Sequence, residues 1–140
     1  IKTTNGGINW RIIGSGIINN LNGIYFTDIN TGTAVGSNGK IIRTTNGGEK
    51  WNNISSGINA ELFAINFADY QVGYINSSTR TLKTTNSGLN WVINLGGGND
   101  IFFSDSLIGY SVAGSGIILK TTNGGINWIT QNGNLVDNIL

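Results

Sequence analysis

The sequence predicts an all-β protein, a β-propeller segment built from four-stranded antiparallel blades. The octapeptide TTNGGINW occurs twice, ending at Trp10 and Trp128, and the variants TTNGGEKW and TTNSGLNW end at Trp51 and Trp91. These tryptophans are 41, 40 and 37 residues apart, which is about the length of one propeller blade. Turn residues recur within each interval, Pro is absent, and no window longer than a few residues has a helical period. We therefore expect repeated hairpins and no helices.

The repeat divides residues 1–140 into a partial blade at 1–13, whole blades at about 20–55, 61–95 and 100–130, and a tail at 131–140. In the first whole blade, LNGIYFT, TGTAVG, GKIIRTT and EKWNNIS predict four strands, separated by turns at DINTG, SNG and NGG. The partial blade supplies only a third and a fourth strand. Ile139 lies where the next first strand would begin, so we expect an open arc of three and a half blades with about 15 strands.

A second motif, F-x-D-x-x-x-G, precedes each later tryptophan at a nearly fixed distance. It spans Phe26–Gly32, Phe67–Gly73 and Phe103–Gly109, and its aspartate lies 23, 22 and 23 residues before the next Trp. Glycosidases use paired carboxylates, but these aspartates occupy one repeat position, whereas a catalytic pair should break the repeat. We therefore interpret Asp28, Asp69 and Asp105 as turn caps. Asp100 and Asp137 lie off the repeat and are the carboxylates that an enzymatic role would use.

The third strand of each unit carries an apolar residue nine positions before its Trp and a threonine seven positions before it. The apolar residues are Ile1, Ile42, Leu82 and Leu119. Side chains at this spacing share one face of a strand. We expect these residues and the four tryptophans to fill the space between neighbouring blades.

The third and fourth strands are joined by a motif with the spacing T-x-N-x-G-x-x-W. Its residues are Thr3, Asn5, Gly7 and Trp10; Thr44, Asn46, Gly48 and Trp51; Thr84, Asn86, Gly88 and Trp91; and Thr121, Asn123, Gly125 and Trp128. An Asn side chain in a hairpin can accept backbone N–H groups, and Gly adopts a positive φ without strain. The motif therefore predicts a self-contained structural turn rather than a calcium site.

This spacing resembles the Asp-box, S/T-x-D-x-G-x-x-W, of sialidase-type propellers. With the F-x-D-x-x-x-G, A-V-G and KTTNGG elements, residues 1 to 130 are most similar to the photosystem II stability and assembly factor family and its secreted bacterial relatives. Every box here has Asn where the family pattern has Asp. Some Asp-box propellers are glycosidases, but the arginine triad that sialidase chemistry implies is absent, because only Arg11 and Arg80 lie off the repeat. The resemblance therefore implies a binding protein that lacks enzymatic activity.

The composition excludes several classes of function. Only 11% of residues are charged and the net charge is +1, which gives no argument for binding nucleic acid or an anionic membrane. No apolar run approaches the ~20 residues of a membrane helix. The chain has no Cys and no His, which excludes disulfides, thiol nucleophiles and the commonest metal ligand. We therefore expect no cofactor and no metal.

A basic residue lies eight positions before each Trp, at Lys2, Arg43, Lys83 and Lys120. This array could bind an acidic partner, but the simpler explanation is that the long stems pack over neighbouring blades while the charged groups reach solvent. We predict a non-enzymatic binding or scaffolding segment with a protein or glycan partner, extracellular or on a bacterial cell surface. The alternatives are a glycoside hydrolase fragment whose catalytic residues lie elsewhere and a self-assembling structural subunit. Because the chain begins within a repeat and has no Met, we expect further blades from a longer chain or from neighbouring copies.

Overall fold

The computed structural model describes residues 1–131 and contains three four-stranded antiparallel sheets. Sheet 1 comprises β1 (Leu21–Phe26), β2 (Gly32–Gly36), β3 (Ile41–Thr44) and β4 (Asn52–Ile54). Sheet 2 comprises β5 (Leu62–Phe67), β6 (Gly73–Ser77), β7 (Arg80–Thr84) and β8 (Val92–Leu95). Sheet 3 comprises β9 (Asp100–Phe103), β10 (Gly109–Val112), β11 (Ile118–Thr121) and β12 (Ile129–Thr130). The prediction of an all-β protein with four-stranded blades is confirmed.

Each sheet is a meander in which strands pair in sequence order. The first hairpin has a β-bulge at the same repeat position in sheets 1 and 2, between Leu21 and Gly23 and between Leu62 and Ala64. A short 3-10 turn, Ser37–Gly39, connects β2 to β3, and Asn38 has a φ of 58° there. Within residues 1–131, the structure contains no apolar helix of the length that a membrane span requires.

The sheets pack face to face along the chain, with the first strands β1, β5 and β9 side by side. One core lies between sheets 1 and 2 and is formed by Val35, Ile41, Leu62, Ile65, Phe67, Ile75 and Leu82. A second core lies between sheets 2 and 3 and is formed by Tyr74, Ile101 and Phe103. The inner strands of sheet 2 are covered on both faces by its two neighbours, whereas its outer strand β8 stays largely exposed. This is the stacking expected of propeller blades.

The predicted inter-blade residues are buried where another unit precedes their own and exposed in the first unit. Leu82 is buried, and Trp91 and Trp128 pack against the two cores. In the first unit, however, Ile1 and Trp10 are exposed, so the prediction that these residues fill inter-blade space is wrong there. Both side chains belong to the face that meets a preceding unit in the other repeats, and no described residue covers that face.

The N-terminal unit is less regular than we expected. Its third and fourth strands are reduced to one antiparallel bridge between Lys2 and Arg11, so the described residues form twelve strands rather than about 15. A third strand is normally held between a second and a fourth strand, and here residues 1–3 pair on one side only. The next first strand predicted near Ile139, and the off-repeat Asp137, lie outside the described residues.

Candidate functional site

The four box motifs adopt one hydrogen-bonding arrangement. In sheet 2, Thr84 Oγ1 accepts the N–H groups of Asn86 at 3.3 Å and Gly88 at 3.0 Å and donates to Asn86 Oδ1 at 3.0 Å. Asn86 Oδ1 also accepts the N–H of Asn90 at 3.0 Å. The same four bonds recur in the boxes that begin at Thr3, Thr44 and Thr121. An amide oxygen thus fills the place of the carboxylate oxygen in the Asp-box pattern.

The box glycine is needed for its backbone conformation. Gly48 has a φ of 84°, and a Cβ there would lie 3.5 Å from the ring of Trp51. The residue before it is also left-handed, and in sheet 2 this is Ser87, with a φ of 60°. Residues other than Gly rarely adopt left-handed backbone angles. Ser87 therefore carries local strain that the glycines at the equivalent position of the other boxes avoid.

The F-x-D-x-x-x-G motif has an internal explanation for each of its three positions. Asp28 Oδ1 accepts the N–H groups of Asn30 at 2.7 Å and Thr31 at 2.9 Å, and Asp69 and Asp105 cap their turns in the same way. A Cβ on Gly32 would lie 2.7 Å from the Phe26 ring, so the motif glycine leaves room for the motif phenylalanine. The phenylalanine in turn packs edge-to-face on the box Trp of its own sheet, at centroid distances of 6.1, 6.1 and 5.9 Å.

Two of the turn aspartates make the stability of the fold depend on pH in the acidic range. The backbone N–H groups that Asp28 accepts, first from Asn30, lower its pKa below the usual 3.8, and those of Ile108 and Leu107 lower the pKa of Asp105. A carboxylate whose pKa is lower in the folded state than in the unfolded state stabilises the fold fully when the pH is above the unfolded-state pKa. That stabilisation is lost as the pH falls through the folded-state pKa.

We therefore predict that Asp28→Asn, whose amide oxygen accepts the same bonds without titrating, has a melting temperature slightly below that of the parent near neutral pH. The difference should shrink below pH 3.8 because only the parent loses a charge there. Thermal unfolding from about pH 6 to about pH 2.5 measures it. A constant difference across this range would contradict the assignment of a stabilising charge to Asp28.

The repeated basic residues link each sheet to the next one. Arg43 Nε donates to the carbonyl oxygen of Ser87 at 2.7 Å, and Lys83 Nζ donates to that of Gly124 at 3.1 Å. Both acceptors lie in the box turn of the following sheet. Lys83 also lies 5.3 Å from the ring centre of Tyr74, and burial lowers the pKa of its ammonium group. These two cations bond each sheet to the box turn of the next one, whereas the sequence analysis placed only their stems against neighbouring blades.

The basic residues of the first and last units lie in the same positions but have fewer hydrogen-bond partners in other units. Lys2 Nζ lies 3.0 Å from Glu49 Oε1 in sheet 1, and Arg11 pairs with the same oxygen. These contacts lower the pKa of Glu49, with the Lys2 bond as the main cause and the Arg11 bond as the second. Lys120 lies over Tyr110 at 5.4 Å, as Lys83 lies over Tyr74. Of the four predicted binding residues, Lys120 alone makes no hydrogen bond to another unit within residues 1–131.

The box turns and the aspartate turns lie at one end of the sheets, which we call the motif end. There the N–H groups of Gly47, Ser87 and Gly124 donate to the carbonyl oxygens of Asn30, Gln71 and Leu107 at 2.8, 2.9 and 2.9 Å. The opposite end, which we call the variable end, comprises the second turns at 37–40, 77–80 and 113–117 and the connections at 55–61 and 96–99. The second turns and the connection at 96–99 differ in sequence between units, whereas Ser56–Ile58 repeats Ser15–Ile17 with the same side-chain hydrogen bonds.

The variable end holds Arg80 and Asp100. Arg80, which we expected to lie off the repeat, occupies the repeat position of Lys40, whereas Asp100 has no acidic counterpart in the other units. Arg80 is exposed, and its guanidinium donates only to the adjacent Thr79 carbonyl, at 3.0 Å. Asp100 Oδ1 accepts the N–H of Ile101 at 2.8 Å. Within the described residues, no group of three or more His, Cys, Asp or Glu side chains could hold a metal ion.

A family model described as photosynthesis system II assembly factor YCF48 matches residues 3–97. The chain belongs to this family. Among solved structures, it is similar to YCF48 bound to D1 peptide, with 22% identity and a TM-score of 0.72 over 82% of this chain and 42% of that chain. It is also similar to YCF48 from Cyanidioschyzon merolae, with 26% identity and a TM-score of 0.66 over 80% of this chain and 39% of that chain. Its resemblance to the assembly factor family is confirmed.

The YCF48 fold is shared with enzymes. An ancestral GH74 enzyme matches with 19% identity and a TM-score of 0.72 over 89% of this chain and 20% of that chain, which shows the propeller fold alone. The chain spans about two fifths of the length of the two YCF48 structures. No curated protein matches it by sequence. The comparisons therefore establish a propeller segment of the YCF48 family.

Proposed function

We propose that this chain is a non-enzymatic propeller segment that binds an extended peptide of a partner protein through its variable end. Membership of the YCF48 family carries the proposal, since one structurally similar YCF48 is bound to a peptide. Its resemblance to secreted relatives favours a location outside the cell or on its surface. A glycan ligand is the weaker alternative, because only the GH74 neighbours favour it, and their identity to this chain is low.

The side-chain hydrogen bonds at the two ends of the sheets support the variable end as the binding surface. At the motif end, the box and aspartate side chains already bond the backbone of their own turns. At the variable end, the turns differ between units and Arg80 is exposed, with no bond to another sheet. Loops of differing sequence on a rigid scaffold are the usual place for recognition.

The glycoside hydrolase alternative has few carboxylates to use. The three motif aspartates cap turns, Glu49 is paired with Lys2 and Arg11, and Glu61 accepts the side-chain amide of Asn22. Among the described carboxylates, Asp100 remains. Retaining and inverting hydrolysis both need two carboxyl groups placed across the scissile bond. Measurable hydrolysis of a β-glucan by this chain would favour the alternative.

A peptide selected from a displayed random library against the chain tests the proposal. We expect Arg80→Ala to weaken binding of that peptide about tenfold, or ~1.4 kcal/mol, and Lys50→Ala to leave it nearly unchanged. Lys50 is the matched control, because it is exposed and basic but lies at the motif end. Equal losses in both variants, a loss with Lys50→Ala alone, or a selection that yields no binder would overturn the proposal.

A further inference from the structure

The ammonium groups of Lys2 and Lys83 occupy the same repeat position, but only Lys2 has a carboxylate beside it. Lys2 Nζ lies 3.0 Å from Glu49 Oε1, and Arg11 pairs with the same oxygen. Within residues 1–131, both ion pairs belong to Glu49, and no carboxylate pairs with Lys83. The two lysines therefore differ in their counter-ion.

Two differences in sequence explain why Lys83 has no counter-ion. Glu49 is the sixth residue of the box in sheet 1, and its equivalent in sheet 3 is Ile126. Arg11 directly follows its box Trp, and its equivalent in sheet 2 is Val92. Ile126 and Val92 are 64% and 65% exposed. Two exposed apolar side chains thus replace the charged pair found beside Lys2.

An open cleft lies at this place, between the outer strand of sheet 2 and the box turn of sheet 3. It has a volume of about 500 Å³, and its lining includes Lys83, Asn90, Val92, Asn94 and Ile126. Val92 and Asn94 lie two residues apart on β8, so their side chains share one face of the strand. The cleft therefore runs along β8 and combines one cation with amides and apolar side chains.

The Lys83 ammonium group has donors that the protein does not use. It donates to the Gly124 carbonyl oxygen at 3.1 Å and lies 5.3 Å from the ring centre of Tyr74. An ammonium group has three N–H donors, so this carbonyl satisfies one of them. Burial lowers the pKa of Lys83, because the ammonium group has lost part of its hydration and no opposite charge compensates for the loss. A carboxylate beside it would supply that charge.

We propose that this cleft binds an acidic side chain of a partner protein, carried on an extended segment. The carboxylate pairs with Lys83 as Glu49 pairs with Lys2, and apolar residues beside it contact Val92 and Ile126. Charge complementarity selects the acidic residue, since a cation and no carboxylate lines the cleft. Asparagine amides can bond the main chain of the segment. This site goes beyond the proposed peptide site, because none of its residues belongs to the variable end.

A pair of short peptides tests the proposal. Gly-Ile-Glu-Ile-Gly, blocked at both ends, is titrated into the nitrogen-15-labelled chain, and a second peptide has Gln in place of Glu. We expect the glutamate peptide to bind saturably with a Kd on the order of 1 mM and to shift the amide signals of Val92, Asn94 and Ile126. The glutamine peptide should bind about threefold more weakly, which is the effect of one partly exposed ion pair. Sodium chloride at about 1 M should remove this difference by screening.

Two variants of the protein with equal net charge locate the bound carboxylate. Ile126→Glu places the chain's own carboxylate beside Lys83, so it should weaken binding of the glutamate peptide at least about threefold. Ile8→Glu makes the same change at the sixth box position of the first unit, outside the cleft, and should leave binding unchanged. Both side chains are exposed, so neither variant should disturb folding, which circular dichroism checks.

Several outcomes of these titrations would overturn the proposal. They are equal binding of the two peptides, equal effects of the two variants, the largest shift changes outside the cleft, and no saturable binding. Glucuronate that binds at these residues more tightly than the glutamate peptide would assign the cleft to acidic sugars and would also overturn it. The library selection described above concerns the variable end and uses a different peptide, so the two proposals can fail independently.

Discussion

Tyr74→Ala should lower the free energy of unfolding by about 3 to 5 kcal/mol, the usual cost of removing a large buried aromatic ring. Tyr74 is fully buried, stacks on Phe103 across the interface of sheets 2 and 3, and bonds the carbonyl of Ser106. Burial raises its pKa to about 12, with smaller contributions from Asp69 and Asp105, so the hydroxyl stays protonated and continues to donate. Urea denaturation followed by circular dichroism measures the change.

Two matched variants separate the parts of this effect. Tyr74→Phe keeps the stack and removes only the hydroxyl bond, so we expect a loss of about 1 kcal/mol. Tyr110→Ala changes the equivalent residue of sheet 3, which is partly exposed and has no described sheet beyond it. Its cost should stay below about 1 kcal/mol. Similar losses from Tyr74→Ala and Tyr110→Ala would show that sheets 2 and 3 do not pack as described.

Thr84→Val should cost about 2 to 4 kcal/mol, because it keeps the side-chain shape but removes a hydroxyl that satisfies two backbone donors. Thr84 is buried, and without its Oγ1 the N–H groups of Asn86 and Gly88 lose their acceptor. Asn86 Oδ1 also loses a donor. Urea denaturation monitored by tryptophan fluorescence, with far-ultraviolet circular dichroism as a second probe, measures the loss.

The other boxes provide controls for Thr84→Val. Thr3→Val removes the same bonds from a half-buried turn, where water replaces them, so it should cost less than about 1 kcal/mol. Asn86→Asp keeps the oxygen acceptor and should be nearly neutral at pH 7. A neutral Thr84→Val would show that the box does not stabilise the fold, and a large loss in Asn86→Asp would show that a carboxylate cannot replace the amide in this turn.

The local structure of each unit could be predicted because its causes lie close together in sequence. The spacing from Thr84 to Trp91 contains both partners of each of the four hydrogen bonds that define the box turn. The spacing from Phe67 to Gly73 places a ring against a residue without a side chain. Strand order, hairpins and turn caps follow from such patterns.

Contacts between units could not be read in the same way. Arg43 and Ser87 are 44 residues apart, and only the packing angle between two sheets brings them together. The recurrence of a basic residue at one repeat position was a signal, but it did not distinguish an external ligand from the next box turn. The N-terminal pair was predicted as two strands, and it forms one bridge because strand pairing depends on neighbours that a local pattern does not contain.

The division between a structural motif end and a ligand-binding variable end is the central claim about function. It can be tested most directly by nuclear magnetic resonance, with the selected peptide titrated into the nitrogen-15-labelled chain. We expect the largest amide shift changes at residues 37–40, 77–80, 96–99 and 113–117, with little change in the box turns at 44–49 and 84–89. Shift changes concentrated in those box turns would contradict the claim.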